Sequence, residues 1–445
     1  MLDNAEKQAG VAAIPLYMEG ASPRESEESY ARDRANFVVR AYRQAGPVFR
    51  TYVDGREEVI LGGLEANEFI WRNSDLWDFP EVFPAFGEQM GPDHLNVLEG
   101  DAHRQKRTIL KPAFDQGPAM RYLPEYNAGF ARELSALSKG EYLDGITFWA
   151  EAITKLNSET VARATMSEEV LKRMVRWERE MLGGISLGPA RHAYYGRPAY
   201  AELRDEAMRL MGEIVDDHLR HPDRYSDHYS RVLQARLEAS GGQPERHQMI
   251  DDLYYILFAG VENTARLANA VLALCWFNAE WLERVRGELD AWDGIDVMAV
   301  GKMTALKALI METQRYCPMT FFLRRHPVRD FEFGGHRIAA GTKLYHASVL
   351  GHFLDEVYPG ASTFNPQRFV EESRFVPRAS GFFGGGVHIC LGRNYTQLQV
   401  PLAVAQILKV YNPAYKDEAS LRSLLSTMGR ALPHEVWLAL EPRPR

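Results

Sequence analysis

Apolar positions recur at helical spacing over most of this chain. In Ser29 to Gln44, Asp251 to Phe277, Ala279 to Leu289 and Met303 to Tyr316, aliphatic and aromatic residues return every three or four positions. That rhythm predicts helices with one buried face. Two regions have a strand-like rhythm instead. Val48 to Val53 is followed by Asp54-Gly55 and then Glu57 to Leu61, and Asp-Gly between β-prone runs signals a hairpin. Later, Phe331-Glu332-Phe333 leads through Gly334-Gly335 to Arg337-Ile338, then the Ala340-Gly341 turn and Lys343 to Ala347. The expected architecture is mainly α with a small β region, in which residues 46–65 and 331–347 meet in space.

No Pro/Gly/Ser-rich linker, repeat or low-complexity tract divides the 445 residues, so one domain, 1–445, is expected. A composition of 46% hydrophobic and 25% charged residues is that of an ordinary soluble globular protein. The three cysteines, Cys275, Cys317 and Cys390, are far apart and odd in number, which argues against a disulfide framework and for a reducing compartment. The net charge of −8 counts against a main role in nucleic-acid binding. Asp3, Glu6 and Lys7 precede only a short apolar run, Val11 to Leu16, so neither a signal peptide nor a membrane anchor is expected. The apolar region from Leu253 to Trp276 is interrupted by Glu262, Asn263, Arg266 and Asn269 and reads as a core helix. A cytoplasmic location follows.

Chemistry concentrates in Phe383-Gly384-Gly385-Gly386-Val387-His388-Ile389-Cys390-Leu391-Gly392, just ahead of the helix-patterned segment Gln397 to Leu408. Pro401 inside that segment should kink it or end its first part. Glycines before a helix can cradle a phosphate, but Ile389 holds the position of a third glycine and no βαβ frame follows. A thiolate ligand explains more of the residues. Gly386 and Gly392 permit close backbone approach to a flat macrocycle, and backbone N–H groups after Cys390 can stabilise the sulfur's charge. The spacing Phe-x-x-Gly-x-x-x-Cys-x-Gly resembles the haem-binding loop of the cytochrome P450 family. The resemblance implies that fold from about Gly46 to the C-terminus, haem b with Cys390 as axial ligand, and Phe383, Gly386, His388 and Gly392 around it.

Other motifs strengthen the resemblance. Glu312 and Arg315 share a helix face at i, i+3. With Arg368 of Phe364-Asn365-Pro366-Gln367-Arg368-Phe369 they match the family's buried triad that locks the cysteine loop. His103 and Arg107, at i, i+4, resemble the family's propionate-binding pair, and Arg325, or its neighbour Arg324, falls where a propionate arginine is found. Phe258-Ala259-Gly260-Val261-Glu262-Asn263-Thr264 matches the oxygen-activation segment. Ala259 and Gly260 supply its small residues and Glu262 its acid, while Asn263 replaces the expected threonine. A shifted register, with Asn263 for the acid and Thr264 for the alcohol, is the alternative. An amide can order a water but cannot act as a general acid.

The resemblance implies a monooxygenase that inserts one oxygen atom from O2 into a small, largely apolar organic substrate. By family position the pocket draws on residues 79–96, Tyr254, Phe258, Val261, 318–322 and 426–428. No flavin or iron–sulfur domain follows the loop, so the expected electron donor is a separate ferredoxin or flavodoxin. It would be steered by Arg104, Lys106, Lys111, Arg374, Arg378 and Arg393. Asn263 motivates a second reading of the same site: oxidative coupling, nitration or peroxide-driven oxidation. A haem-binding sensor without turnover is the third.

Overall fold

Gly55, at φ +72°, turns the strand Val48–Val53 (β1) back onto Arg56–Gly62 (β2), where Val48 faces Leu61 and Val53 faces Arg56. The computed structural model describes residues 12–53, 55–137, 140–185, 187–371, 376–419, 421–422 and 436–443. Asp54 of the expected turn lies outside them. The remaining described strands are β3 (Leu143–Asp144), β4 (Leu323–Arg325), β5 (Phe331–Phe333), β6 (His336–Ile338), β7 (Leu344–Ala347), β8 (Tyr411–Tyr415) and β9 (Trp437–Pro442). Six helices carry the residues of interest: α1 (Gly100–Phe114), α2 (Glu168–Ile185), α3 (Arg246–Leu257), α4 (Val261–Phe277), α5 (Thr304–Tyr316) and α6 (Arg393–Val410). The protein is mainly helical with small sheets. It divides into two compact units, one of residues 1–82, 308–390 and 418–433, the other of 83–307, 391–417 and 434–445.

In the first unit the strand order is β1-β2-β7-β4. β2 and β7 run parallel, Val59 beside Leu344 and Gly62 beside Ala347, while the other pairs are antiparallel. Parallel pairing needs a crossover rather than a tight turn, so the two β segments can stand far apart in sequence. β5 and β6 form a separate hairpin. Its turn residues Gly334 (φ +59°) and Gly335 (φ +81°) take the positive φ that a type I′ turn demands. Phe37, Val38, Phe49, Ile60, Phe321 and Leu350 belong to the buried core beneath the larger sheet. The stretch expected to be one helix from Ser29 is two, Pro23–Arg32 and Arg34–Ala45. Asp33 divides them by accepting the Asn36 N–H as N-cap of the second.

In the second unit the expected continuous helix from Asp251 to Phe277 is broken. α3 ends at Leu257, residues 258–260 form a turn, and α4 restarts at Val261. The Ala259 N–H reaches five residues back to the Tyr254 carbonyl at 3.3 Å, a local loosening of the helical ladder. Pro401 does not end its helix; α6 continues to Val410. Every residue from Gln399 to Leu408 is buried, so packing from all sides outweighs the one hydrogen bond the proline cannot make. β9 pairs with both β3 and β8. No helix among the described residues is long and apolar enough to cross a membrane.

Candidate functional site

The cysteine loop, in the first unit, is closed by its own backbone. The Cys390 N–H donates to the Phe383 carbonyl at 2.8 Å, and Ile389 N–H donates to Gly386 at 3.3 Å. Gly384 and Gly386 adopt φ of +67° and +63°, a region that L side chains enter at a cost. A Cβ on Gly386 would stand 2.6 Å from the Trp71 carbonyl oxygen, and one on Gly385 would meet the Trp71 ring. The glycines are therefore required by Trp71, a residue the motif does not contain. Gly392, the N-cap residue of α6, has no described atom within 4 Å of where its Cβ would lie. His388 stacks on Phe79, ring centroids 3.8 Å apart.

The three thiols differ sharply. Cys275 and Cys317 are buried, and burial pushes each up to about 12. Cys390 is exposed. A buried apolar thiol stays protonated and inert, whereas an accessible one can ligate metal as thiolate.

Glu312 and Arg315 of α5 form a buried two-pronged pair, Nε to Oε2 and Nη2 to Oε1, both at 2.7 Å. Arg315 also donates to the carbonyls of His352, Ala361 and Thr363. Glu312 accepts the Asn365 N–H at 2.7 Å. Arg368 completes the cluster: its Nε lies 3.2 Å from Glu312 Oε2 as an ion-pair contact, without hydrogen-bond alignment, and its Nη1 donates to Pro359. The three residues expected to act together are together.

Between the two candidate arginines of β4, burial distinguishes one. Arg324 lies over the Tyr345 ring. Arg325 is buried and lies over Phe79; among the described residues it donates only to the Arg324 carbonyl, and its Nε has no partner there. Burial pulls it down to about 10. A buried cation without a carboxylate is costly, so an anionic group at this position would relieve the cost. The residues thus fit a haem: an exposed thiol in a rigid loop, and an unanswered buried guanidinium suited to a propionate.

In the second unit His103 is buried and Arg107 half-buried on α1. Burial first, then the Arg107 and Arg104 charges, lowers His103 to about 4, so it is neutral at pH 7. Lys106, expected in a surface patch, is instead buried. Its ammonium lies 2.6 Å from Asp251 and 2.5 Å from Asp252, where the helix face turns inward. Arg236 holds Asp252 with two bonds, and His94 joins Asp251 at 2.6 Å and the Tyr255 hydroxyl at 2.9 Å. Burial alone would raise the Asp251 carboxyl, but the charges and hydrogen bonds of His94 and Lys106 outweigh it and hold it below the ordinary range. The stability Asp251 contributes is therefore present above its unfolded value of about 3.9 and lost as pH falls through the lower folded value. Asp251→Asn is expected to cost about 3 kcal/mol by urea denaturation at pH 7, with the difference from wild type shrinking below about pH 4.

A cavity of about 150 Å³ opens in this unit where the helix is interrupted. Phe86, Leu182 and Tyr254 give it an apolar wall, and Glu178, Glu262 and Asn263 give it polar groups. Ala259, Gly260 and Asn263 are exposed while Thr264 is buried. The segment thus presents the amide, while Thr264, the alcohol of the shifted register, is buried. Glu262 is fastened by Arg179 at 3.1 Å and Arg266 at 2.8 Å. Of the expected lining in this unit, Tyr254 borders this cavity, while Phe258 and Val261 are buried and are not among its lining residues. In the first unit Phe321 likewise belongs to the core. Residues 426–428, like Arg374, lie outside the described residues. The motifs did not point to Glu178, Arg179, His94 or Trp71. Glu178 alone had a signal, an acid at the i+7 position from Leu171 on an apolar helix face.

The cytochrome P450 family model matches residues 194–435. Cytochrome P450 139 of Mycobacterium tuberculosis is 25% identical over 389 residues, 83% of this chain and 89% of that protein. The cyclooctat-9-en-7-ol 5-monooxygenase of Streptomyces melanosporofaciens is 24% identical over 351 residues, 75% of each. Among solved structures, retinoic-acid-bound cyanobacterial CYP120A1 superposes with a TM-score of 0.80 at 20% identity, covering 97% of this chain and 100% of that one. These matches define a haem-thiolate monooxygenase, an oxidoreductase that uses O2, a redox partner and a small-molecule substrate. The chain belongs to the cytochrome P450 family, whose haem b is held through a cysteine thiolate.

Proposed function

We propose that Cys390 is the axial ligand of haem b, within one P450 domain spanning the chain, and that Arg325, His103 and Arg107 hold the propionates. The exposed Cys390 thiol, on a loop closed by its own backbone, carries this reading. Phe383 and Gly386 shape that loop and Gly392 begins the helix after it, while His388 is steadied by Phe79. Haem b, when bound, supplies the activation of dioxygen and the transfer of one oxygen atom to substrate. The chain's own contribution is to brace, exclude water and manage protons. Glu312, Arg315 and Arg368 brace the chain leading into the loop. Ala259 and Gly260 keep one wall low, Glu262 is fixed by ion pairs to Arg179 and Arg266, and the Asn263 amide orders a water or donates a hydrogen bond. Thr264, buried behind this wall, is the alternative alcohol of the segment.

The substrate on this reading is compact and largely apolar, matching the aromatic wall of the cavity. The electron donor is a ferredoxin or flavodoxin and the location the cytoplasm. Arg104, Lys111, Arg378 and Arg393 remain of the basic residues expected to steer the donor; Arg104, Lys111 and Arg378 are already paired with Asp101, Asp115 and Glu68. The reduced protein with carbon monoxide is expected to give the red-shifted Soret band of a thiolate-ligated haem, and an unshifted band would overturn the reading.

Asn263 on the cavity wall favours a second possibility, the non-standard chemistries named above. NADPH-to-product coupling with a surrogate ferredoxin system separates the two. If Asn263 marks unusual chemistry, Asn263→Thr raises product formed per NADPH and speeds hydroxylation about a hundredfold, the low side of what a positioned proton donor contributes. Efficient hydroxylation by the wild type, unimproved by threonine, would sink that second reading.

A further inference from the structure

One polar group in the cavity is left unanswered by the protein. Glu178 is 1% exposed, on the buried face of α2 with Leu171, Met174 and Met181. Glu178 is in the cavity wall, and its Oε2 has no hydrogen-bond partner among the described residues. The neighbouring cation in sequence, Arg179, makes its side-chain hydrogen bonds elsewhere, Nε to Glu262 and Nη1 to Thr147, and its buried Nη2 has no partner among the described residues. Burial, and then the negative charge of Glu262, raise the Glu178 carboxyl well above its ordinary range against the smaller pull of Arg179, and so favour its neutral form. A neutral carboxyl presents an O–H donor and a carbonyl acceptor. Leaving either unmatched in a water-poor wall costs free energy that a ligand group of matching polarity restores. Ionising Glu178 would instead set a second carboxylate charge near Glu262 in a buried wall, a repulsion that an uncharged ligand group does not require.

We propose, resting on the monooxygenase reading above, that Glu178 determines specificity by hydrogen-bonding a neutral hydroxyl or keto oxygen on an otherwise apolar, compact substrate. The remainder of such a substrate lies against Phe86, Leu182 and Tyr254. The hydroxyl or keto group fixes which carbon is presented beside Ala259 and Asn263. Glu178 therefore governs which molecules bind and in what orientation, and no bond is made or broken at its carboxyl.

The test uses the full-length, haem-loaded protein and two probes that differ by one oxygen, cyclooctanol and cyclooctane, with binding measured by titration calorimetry. Wild type is expected to bind the alcohol about ten- to hundredfold more tightly, the range an unmatched buried polar group commands. Glu178→Leu should erase that preference by weakening the alcohol alone. Glu178→Gln, which keeps a donor and an acceptor but cannot ionise, should retain it. Equal binding of the two probes by wild type, no heat with either, a preference that survives in Glu178→Leu, or its loss in Glu178→Gln would each overturn the proposal. The carbon monoxide spectrum of the same samples keeps the two readings apart. An unshifted band with an intact alcohol preference counts against the haem-thiolate assignment and leaves the Glu178 assignment standing. A normal band without the preference does the reverse.

Discussion

Cys390→Ala is expected to abolish the red-shifted carbon monoxide band and all monooxygenase turnover, while Cys275→Ala and Cys317→Ala leave both in place. The contrast follows from burial. Cys275 and Cys317 have thiols pushed up to about 12, so neither offers a thiolate at neutral pH, and each is simply a small core residue. Replacing either removes one buried heavy atom, worth about 1 kcal/mol of stability. Cys390 is exposed at the end of a loop whose backbone is fixed by the Phe383 carbonyl and by Trp71 against the glycines. Its loss should therefore change the spectrum more than the fold. The decisive comparison is the band position in the three purified variants beside their denaturation midpoints. A red-shifted band persisting in Cys390→Ala would reject the assignment.

The Trp71 contact also explains a limit of reading motifs alone. The glycine triplet was legible as a place that excludes side chains, but not what excludes them, because Trp71 is far away in sequence and carries no motif. A test at Gly386 distinguishes packing from cofactor clearance only with that contact in view: Gly386→Ala is strained by its positive φ and by the Trp71 backbone before any ligand is considered.

Local rules succeeded where one segment decides its own conformation. The Gly334-Gly335 turn is such a case, and so is the i, i+3 spacing of Glu312 and Arg315. They failed where a partner from elsewhere decides. Lys106 reads as one more charge in a basic run, yet Asp251 and Asp252 draw it inside. Pro401 reads as a breaker, yet burial on all sides carries the helix past it. The break at residues 258–260 also eluded the periodicity, since apolar residues continue through it without interruption. The acid at Glu178 was visible on an apolar face, but its importance lies in the absence of a paired cation, which only three-dimensional placement reveals. The replacement at Asn263 was legible outright, and the exposure of that amide on the cavity wall gives it a chemical meaning.

Glu312→Ala and Arg315→Ala are expected to yield protein without bound haem and with stability lowered by about 3–5 kcal/mol, the cost of stranding one member of a buried ion pair. That is a large share of the roughly 5–15 kcal/mol by which a domain is stable. Without Glu312, the Arg315 and Arg368 guanidinium groups lose their shared anion and Asn365 loses the acceptor for its N–H. Without Arg315, the carbonyls of His352, Ala361 and Thr363 lose a donor at once, and the segment leading toward Arg368 stays tied to α5 only through an unneutralised Glu312 among the described residues. Arg315→Lys should fare little better, because an ammonium cannot reproduce the two-pronged contact and the three outward donors together. Glu312→Gln keeps an acceptor for Asn365 and the shape of the site, so it should fall between wild type and alanine. Haem content per polypeptide and urea midpoints for the four variants form a graded series. Near-normal haem loading and an unchanged midpoint in Glu312→Ala would mean that the cluster is not what braces the cysteine loop.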